Sequence, residues 1–160
     1  MQAALFEAQT WEAQLLADLA PLIPEMSGRQ VHLAILQEPY MGRVERGEKT
    51  IESRWSKVLC APHGWVVRQD ILVFKRTGGP IRGWCEVLRT AQFDLHEISA
   101  TEIIAANQPD LGVGDDFAAA VANKRHVTLM TLGAFHPLDA GHVTIRKRDR
   151  RGWVVLGRMP

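Results

Sequence analysis

The sequence is poor in cysteine: among 160 residues only Cys60 and Cys85 occur, and they form no C-x-x-C pair. That excludes a secreted disulfide framework and points to buried thiols in a reducing compartment. Long apolar runs are lacking as well. No stretch approaches the roughly 18 residues of a membrane span, and no basic region followed by an apolar run opens the chain. A cytoplasmic protein with no membrane partner is therefore expected. Charge of one sign is also scarce, since 19 Lys and Arg face 18 Asp and Glu. Affinity for nucleic acid, if present, must then rest on local patches. His32, His63, His96, His126, His136 and His142 form neither H-E-x-x-H nor H-x-x-E-H, and Cys60 near His63 lacks the further ligands of a zinc site. No metal and no cofactor are expected. Gly112-Val113-Gly114 is too short for a phosphate-cradling loop and follows no strand, and a nucleophile-elbow serine is missing. Internal repeats and low-complexity segments are missing too.

What remains is an ordinary globular composition, 46% apolar and 23% charged, long enough for one domain with its own core. Residues 2–22 are rich in helix formers, and Leu5, Ala8, Trp11, Leu15, Leu19 and Leu22 make one stripe at three- and four-residue steps. The spacing predicts an amphipathic N-terminal helix that packs on the rest of the chain, with Trp11 as an anchor. Residues 1–28 thus form a helix and linker, and residues 29–160 the main domain. A first strand over residues 31–37 leads through Glu38-Pro39 into a short helix that ends at Gly47. A second strand covers 49–55, residues 56–68 form a loop over one end of the sheet, and 70–75 and 81–88 make a hairpin around Gly78-Gly79. Ser99 and Glu102 frame a capping box for a helix to about Asn107, and Asp115-Asp116 precede a second short helix from Phe117 to Asn123. Strands are predicted at 127–135, 143–147 and 153–156. Six or seven strands with helices inserted after the first and fourth predict an α+β fold, a small curved mixed sheet or barrel.

The segment Gly47-Glu48-Lys49-Thr50-Ile51-Glu52-Ser53-Arg54-Trp55 concentrates charge of both signs where helix turns into strand. Two-residue alternation puts Thr50, Glu52 and Arg54 on one face and Ile51, Ser53 and Trp55 on the other. One face can seal a core while an acid and a guanidinium share the opposite face, with Lys49 in the turn before them. Spacing alone also fits a plain surface ion pair, which contributes little.

This segment, with the strand, Gln37-Glu38-Pro39-Tyr40 and short helix before it, resembles the ASCH domain of the PUA-like superfamily. The family's G-x-K-x-x-E-x-R positions are filled by Gly47, Lys49, Glu52 and Arg54. The resemblance spans residues 31 to about 91 and continues more loosely to the last strand; the N-terminal helix lies outside it. It implies a PUA-like mixed β-barrel with short inserted helices and a cleft beside the signature. It also implies RNA, a nucleotide or a nucleoside as partner in that cleft. Some relatives act as amidohydrolases on acylated nucleosides such as N4-acetylcytidine, and others have been proposed to cut RNA. Where the amidohydrolases place a catalytic threonine this chain has Glu52, and Asp110, Asp115 and Asp116 are the candidates for the family's more distant acid.

Ligand binding is therefore expected at Lys49, Glu52, Arg54, Tyr40, Arg46, Lys57 and Trp65. Arg43 belongs to the same basic rim, while Arg68, Lys75, Arg76 and Arg82 join it if the hairpin folds over that side. Trp55 is expected in the core, whereas Trp65 beside His63 is available for stacking. The alternative is a hydrolase in which Lys49 and Glu52 are catalytic. A neutral Lys49 would need burial or a neighbouring cation, which Glu52 opposes; Glu52 as general base, with Lys49 and Arg54 stabilising an anion, is chemically sounder. The run Arg146, Lys147, Arg148, Asp149, Arg150 and Arg151 is the densest basic cluster. As a solvated turn or as a phosphate contact, its role depends on which side it faces.

Overall fold

In the computed structural model, residues 9–160 are described. Strands dominate: β1 (Gln30–Leu36), β2 (Ile51–Ser56), β3 (Ile71–Arg76), β4 (Ile81–Asp94), β5 (His126–Leu132), β6 (His136–Pro137) and β7 (Trp153–Arg158). They are interleaved with helices α1 (Trp11–Leu19), α2 (Tyr40–Glu45), α3 (Ala100–Asn107) and α4 (Phe117–Val121). The sheet runs β2-β5-β4-β3-β1-β7, with β6 paired to β4. Only β1 and β3 are parallel; the other pairings are antiparallel.

The 14-residue strand β4 explains the curl. Its first half pairs with β3 and its second with β5, and the register shifts between Val87 and Arg89. Such a shift bends and twists a strand. The bend brings β2, at one end of the strand order, back to the β1–β7 side. There Arg54 of β2 donates through Nη2 to Ile35 O at 3.0 Å and through Nη1 to Gly152 O at 3.1 Å. A side chain thus bridges the seam that no ladder closes. The result is a half-barrel of α+β class.

Alternation then sorts the strands into an inside and an outside. Ala34, Leu36, Leu72, Phe74, Cys85, Met130 and Trp153 fill the interior. Val66, from the loop predicted at 56–68, plugs one end of it. Also inside is His32, wholly buried, whose Nδ1 accepts from Trp153 Nε1 at 3.1 Å. Its Nε2 therefore carries the proton and donates to Asp70 Oδ2 at 2.8 Å, so this buried polar string is paired. Outside, the α1 stripe (Leu15, Leu16, Leu19) packs on Val31, Leu33, Ile71, Val73 and Val154. The helix is satisfied within the monomer; the part of the stripe at Leu5 and Ala8 lies outside the described residues. A third cluster joins Ile51, Val127 and Leu129 to Ile103 of α3 and to Leu111.

Several predicted boundaries move. Residues 143–147 are no strand. Val143 and Ile145 pack on the outer core as their alternation requires, but the segment has no ladder partner; alternation reports a covered face, not a hydrogen-bonded neighbour. The strand predicted to reach residue 135 stops at Leu132, and the chain re-pairs as β6 after Gly133. In contrast, β4 runs past Leu88 to Asp94 because β5 continues to pair with it. Pro39, where the strand leads into the short helix, is the N-cap of α2.

Candidate functional site

The site is built outward from the end of α2. Gly47 takes the left-handed conformation (φ 72°) that a helix terminator needs, and its N–H donates to Val44 O at 3.1 Å. The next two amides, of Glu48 and Lys49, both donate to Arg43 O at 2.9 and 3.1 Å. This tight exit points Lys49 inward, where only 3% of it is exposed. Thr50 N and Ile51 N then both donate to Asp110 O, at 2.9 and 3.0 Å, so β2 begins under the loop that follows α3.

That loop grips Lys49. Its Nζ donates to Leu111 O at 2.6 Å and to Ile51 O at 2.8 Å. Gly112, at φ 65°, lies so close that a Cβ there would stand 2.9 Å from Lys49 Cβ. Arg43 Nη1 fixes the same loop by donating to Gly112 O at 2.7 Å. Burial is the main reason the Lys49 pKa falls below its ordinary value; Glu52 opposes the shift, while Arg54 and Arg43 add to it. The competition foreseen between burial and Glu52 is won by burial.

Glu52 and Arg54 share the inner face of β2, whereas Ile51 faces the outer cluster. Glu52 is 3% exposed. Its Oε1 accepts from Ser53 N at 2.8 Å and stands 3.8 Å from Arg54 Nε. Its Oε2 has no hydrogen-bond partner among the described residues, nor has Arg54 Nε. Two Arg54 nitrogens are committed to the seam carbonyls, and the guanidinium lies 5.1 Å from the centroid of Trp153. Lys49 and Arg54 therefore serve first as struts that hold backbone carbonyls.

Against this strutted wall lies a cleft of ≈ 750 Å³. Lys49, Glu52, Arg54 and Tyr40 form one side, and the Tyr40 ring centroid is 5.8 Å from Lys49 Nζ. Trp55 lines it while remaining packed edge-on against Phe117 at 5.7 Å. The end of β3 contributes Lys75, and the turn after α4 contributes Lys124. The far rim is the run 145–152, with Lys147, Asp149, Arg150 and Arg151. The lining thus carries seven basic side chains and two carboxylates, Glu52 and Asp149.

Asp149 is already engaged. It accepts from Arg151 Nη2 at 2.8 Å and from the Arg151 amide at 2.9 Å, and pairs with Lys147 Nζ at 3.0 Å. These contacts, Arg151's first, hold its carboxyl well below the usual carboxylate range. Asp149 organises the rim and leaves the surrounding field positive. Lys75, partly buried and facing Lys147, has its pKa lowered by desolvation first and by that neighbouring charge second.

The remaining expected site residues lie elsewhere. Arg46 is 59% exposed and pairs with Glu48 at 2.8 Å. Lys57 is exposed beyond the end of β2. Trp65 is 57% exposed on the loop that plugs the barrel, where its carbonyl accepts from Gln30 at 2.9 Å. Arg82 is turned to Glu45 at 2.9 Å. Asp110 contributes its carbonyl, and Asp115 and Asp116 are exposed at the start of α4; none of the three lines the cleft. Conversely, Lys124 and Phe117 were not singled out from the sequence. The basic run Lys124-Arg125-His126 after α4 was the available signal for the first. Among the described residues no cluster of three or more His, Cys, Asp or Glu is placed to hold a metal ion, and no helix is long and apolar enough to cross a membrane.

No protein-family model matches the sequence, and no curated protein matches it. Among solved structures, the chain is similar to ASCH from Zymomonas mobilis, with a TM-score of 0.57 and 12% identity over 78% of this chain and 86% of that one. A serine-to-alanine variant of the Zymomonas protein matches with a TM-score of 0.52 and 15% identity, over 69% of this chain and 72% of the other. At such identities the likeness is one of fold: the curled mixed sheet with its short helices is an ASCH-type, PUA-like fold.

Proposed function

We propose that this ASCH-type chain binds RNA or a nucleotide in the cleft beside Lys49, Glu52 and Arg54. One observation carries the reading: a cleft of ≈ 750 Å³ lined by seven basic and two acidic side chains, one of the acids being neutralised within the rim. That volume suits a nucleotide-sized ligand, and the charge suits its phosphates. Arg150 on the rim and Lys124 opposite, neither in an ion pair among the described residues, supply cationic ends for phosphate, with Arg151 beside them tied to Asp149. Tyr40, Trp55 and Phe117 supply aromatic surface for a base. Glu52 Oε2, buried and without a partner, accepts a hydrogen bond from a base amino or imino edge. Lys49 and Arg54, held by backbone carbonyls, keep the wall rigid, and Lys49 retains one N–H for the ligand.

The test is binding of a labelled single-stranded RNA as a function of salt. In Lys124→Ala and Arg150→Ala the slope of log K against log [salt] should fall by about 0.7 for each phosphate contact removed, with affinity lower at every salt concentration. Unchanged affinity and slope in both variants would overturn the cleft assignment.

A second reading rests on Lys49 and Glu52 together. A buried lysine of lowered pKa beside a carboxylate with a free oxygen also suits hydrolysis, with Glu52 as general base and the cations stabilising the anion that develops. Incubation with N4-acetylcytidine, other acylated nucleosides and short RNAs decides it. Turnover that disappears in Glu52→Gln makes the protein a hydrolase; no turnover on any of them leaves a binding module.

A further inference from the structure

The run 145–152 has two sides. Lys147, Arg150 and Arg151 face the cleft, but Arg146 and Arg148 line a separate groove of ≈ 470 Å³ together with Trp11 of α1. Asp149 lines both, so this run is a ridge shared by the two depressions. Its tie to α1 includes an ion pair from Arg151 to Glu12 at 3.9 Å. Arg46, Arg76, Arg82 and Arg125 each face a carboxylate partner. Arg146, Arg148 and Arg150 have neither an ion pair nor a hydrogen bond among the described residues, and all three are exposed. Among the described residues their charge is uncompensated, on a protein whose formal net charge is only +1.

We infer that the groove between Trp11 and the Arg146/Arg148 pair is a second nucleic-acid subsite, which takes the strand continuing out of the cleft over the ridge. The inference rests on the cleft reading above and narrows it: the preferred ligand is a single-stranded oligonucleotide, not a mononucleotide. Three features combine. Cationic side chains run from the cleft rim to the groove, and the one acid between them, Asp149, is paired with Lys147 and Arg151, so the path stays positive as a phosphate backbone requires. The indole of Trp11 lines the same groove; it packs on the outer core yet is only half-buried among the described residues, which suits base stacking, a sequence-tolerant mode of single-strand binding. Guanidinium groups stack on bases as well as pairing with phosphates, which ammonium groups do not. Trp11 lies on the helix outside the part of the chain that carries the family resemblance, so this subsite would be an addition by this chain to the common fold.

The experiment compares a labelled RNA of about ten nucleotides with a labelled dinucleotide, by fluorescence anisotropy, for wild type, Arg146→Ala/Arg148→Ala, Trp11→Leu and Trp11→Phe. The wild type should bind the longer RNA more tightly. The double arginine variant should lose that advantage, and its salt slope for the long RNA should fall by about 1.4, two contacts at roughly 0.7 each, while its dinucleotide affinity stays at the wild-type value. Trp11→Leu should weaken the long RNA roughly 5- to 150-fold, and Trp11→Phe, which keeps an aromatic face, should recover most of that loss. Melting temperatures of the arginine variant should match wild type, because the removed side chains are exposed and make no ion pair or hydrogen bond among the described residues. If the double variant keeps full affinity and slope for the long RNA, the groove is not a subsite even though the cleft reading stands. If wild type binds neither RNA, the cleft reading falls and the subsite with it.

Discussion

Lys49 shows how a single residue's surroundings decide its chemistry. An ammonium that is 3% exposed has lost most of its hydration, and two carbonyl contacts replace only part of it. Its pKa therefore lies below 10.5 in the fold, while the unfolded chain holds the proton up to about that pH. Between the two values the unfolded state binds more protons, so stability must rise with pH. Unfolding free energies of wild type and Lys49→Met, measured by urea from pH 7 upward, should show wild type gaining on the variant as pH approaches 10.5. A difference independent of pH would mean that burial does not depress this lysine. Glu52 is the complementary case: among the described residues its Oε2 is sealed from solvent with no partner, a costly arrangement, whereas Oδ2 of the other buried carboxylate, Asp70, accepts from His32 and from the Val67 amide. That contrast is why Glu52 is assigned to the ligand instead of to the framework.

At the scale of elements, the loop between α3 and α4 positions the site although it contributes little chemistry of its own. Its carbonyls at Asp110, Leu111 and Gly112 hold the start of β2, Lys49 and Arg43 respectively. The left-handed φ of 65° at Gly112 and its approach to Lys49 leave no room for a side chain. Gly112→Ala should cost about 1–3 kcal/mol, lowering the melting temperature by several degrees, and should weaken ligand binding by displacing Lys49. A variant that melts and binds like wild type would show that the loop does not set the lysine. The 145–152 run is the counterpart on the far rim. It has no ladder partner, and Asp149 gives it shape by collecting contacts from Lys147 and Arg151. The hydrophobic alternation of Val143 and Ile145 predicted a strand, because a pattern of covered and exposed faces does not distinguish a paired strand from an extended segment laid on a core.

For the whole molecule, the barrel is open, and what lies along its seam is the reason it has a cleft at all. Curling of β4 brings β2 back to the β1–β7 side, and Arg54 spans the gap. On the opposite, outer face α1 covers the apolar side of β1, β3 and β7, with Leu19 wholly buried there. Leu19→Ala should destabilise the fold by about 2–5 kcal/mol, read as a lower urea midpoint at an unchanged slope. A near-neutral effect would indicate that the helix is dispensable to the core. Because the same helix carries Trp11, the element that seals the core also forms one wall of the proposed second subsite.

The sequence by itself determined the local features. Strand and helix periods, the Ser99 cap and the Gly47 terminator follow from residue type and spacing, because those signals act over a few neighbours. The alternation in residues 50–55 likewise put Glu52 and Arg54 on one face, and the G-x-K-x-x-E-x-R spacing pointed to the segment around which the cleft is built. Tertiary structure decided what those residues touch. The carbonyl of Leu111, 62 residues away, takes up buried Lys49, and the carbonyl of Gly152 takes up Arg54. Curvature of the sheet brings Lys75, Lys124 and the 145–152 rim to the same space and leaves Arg46, Lys57 and Trp65 outside it. Charge convergence of this kind depends on how far a sheet bends and where a chain returns, quantities that no local pattern encodes.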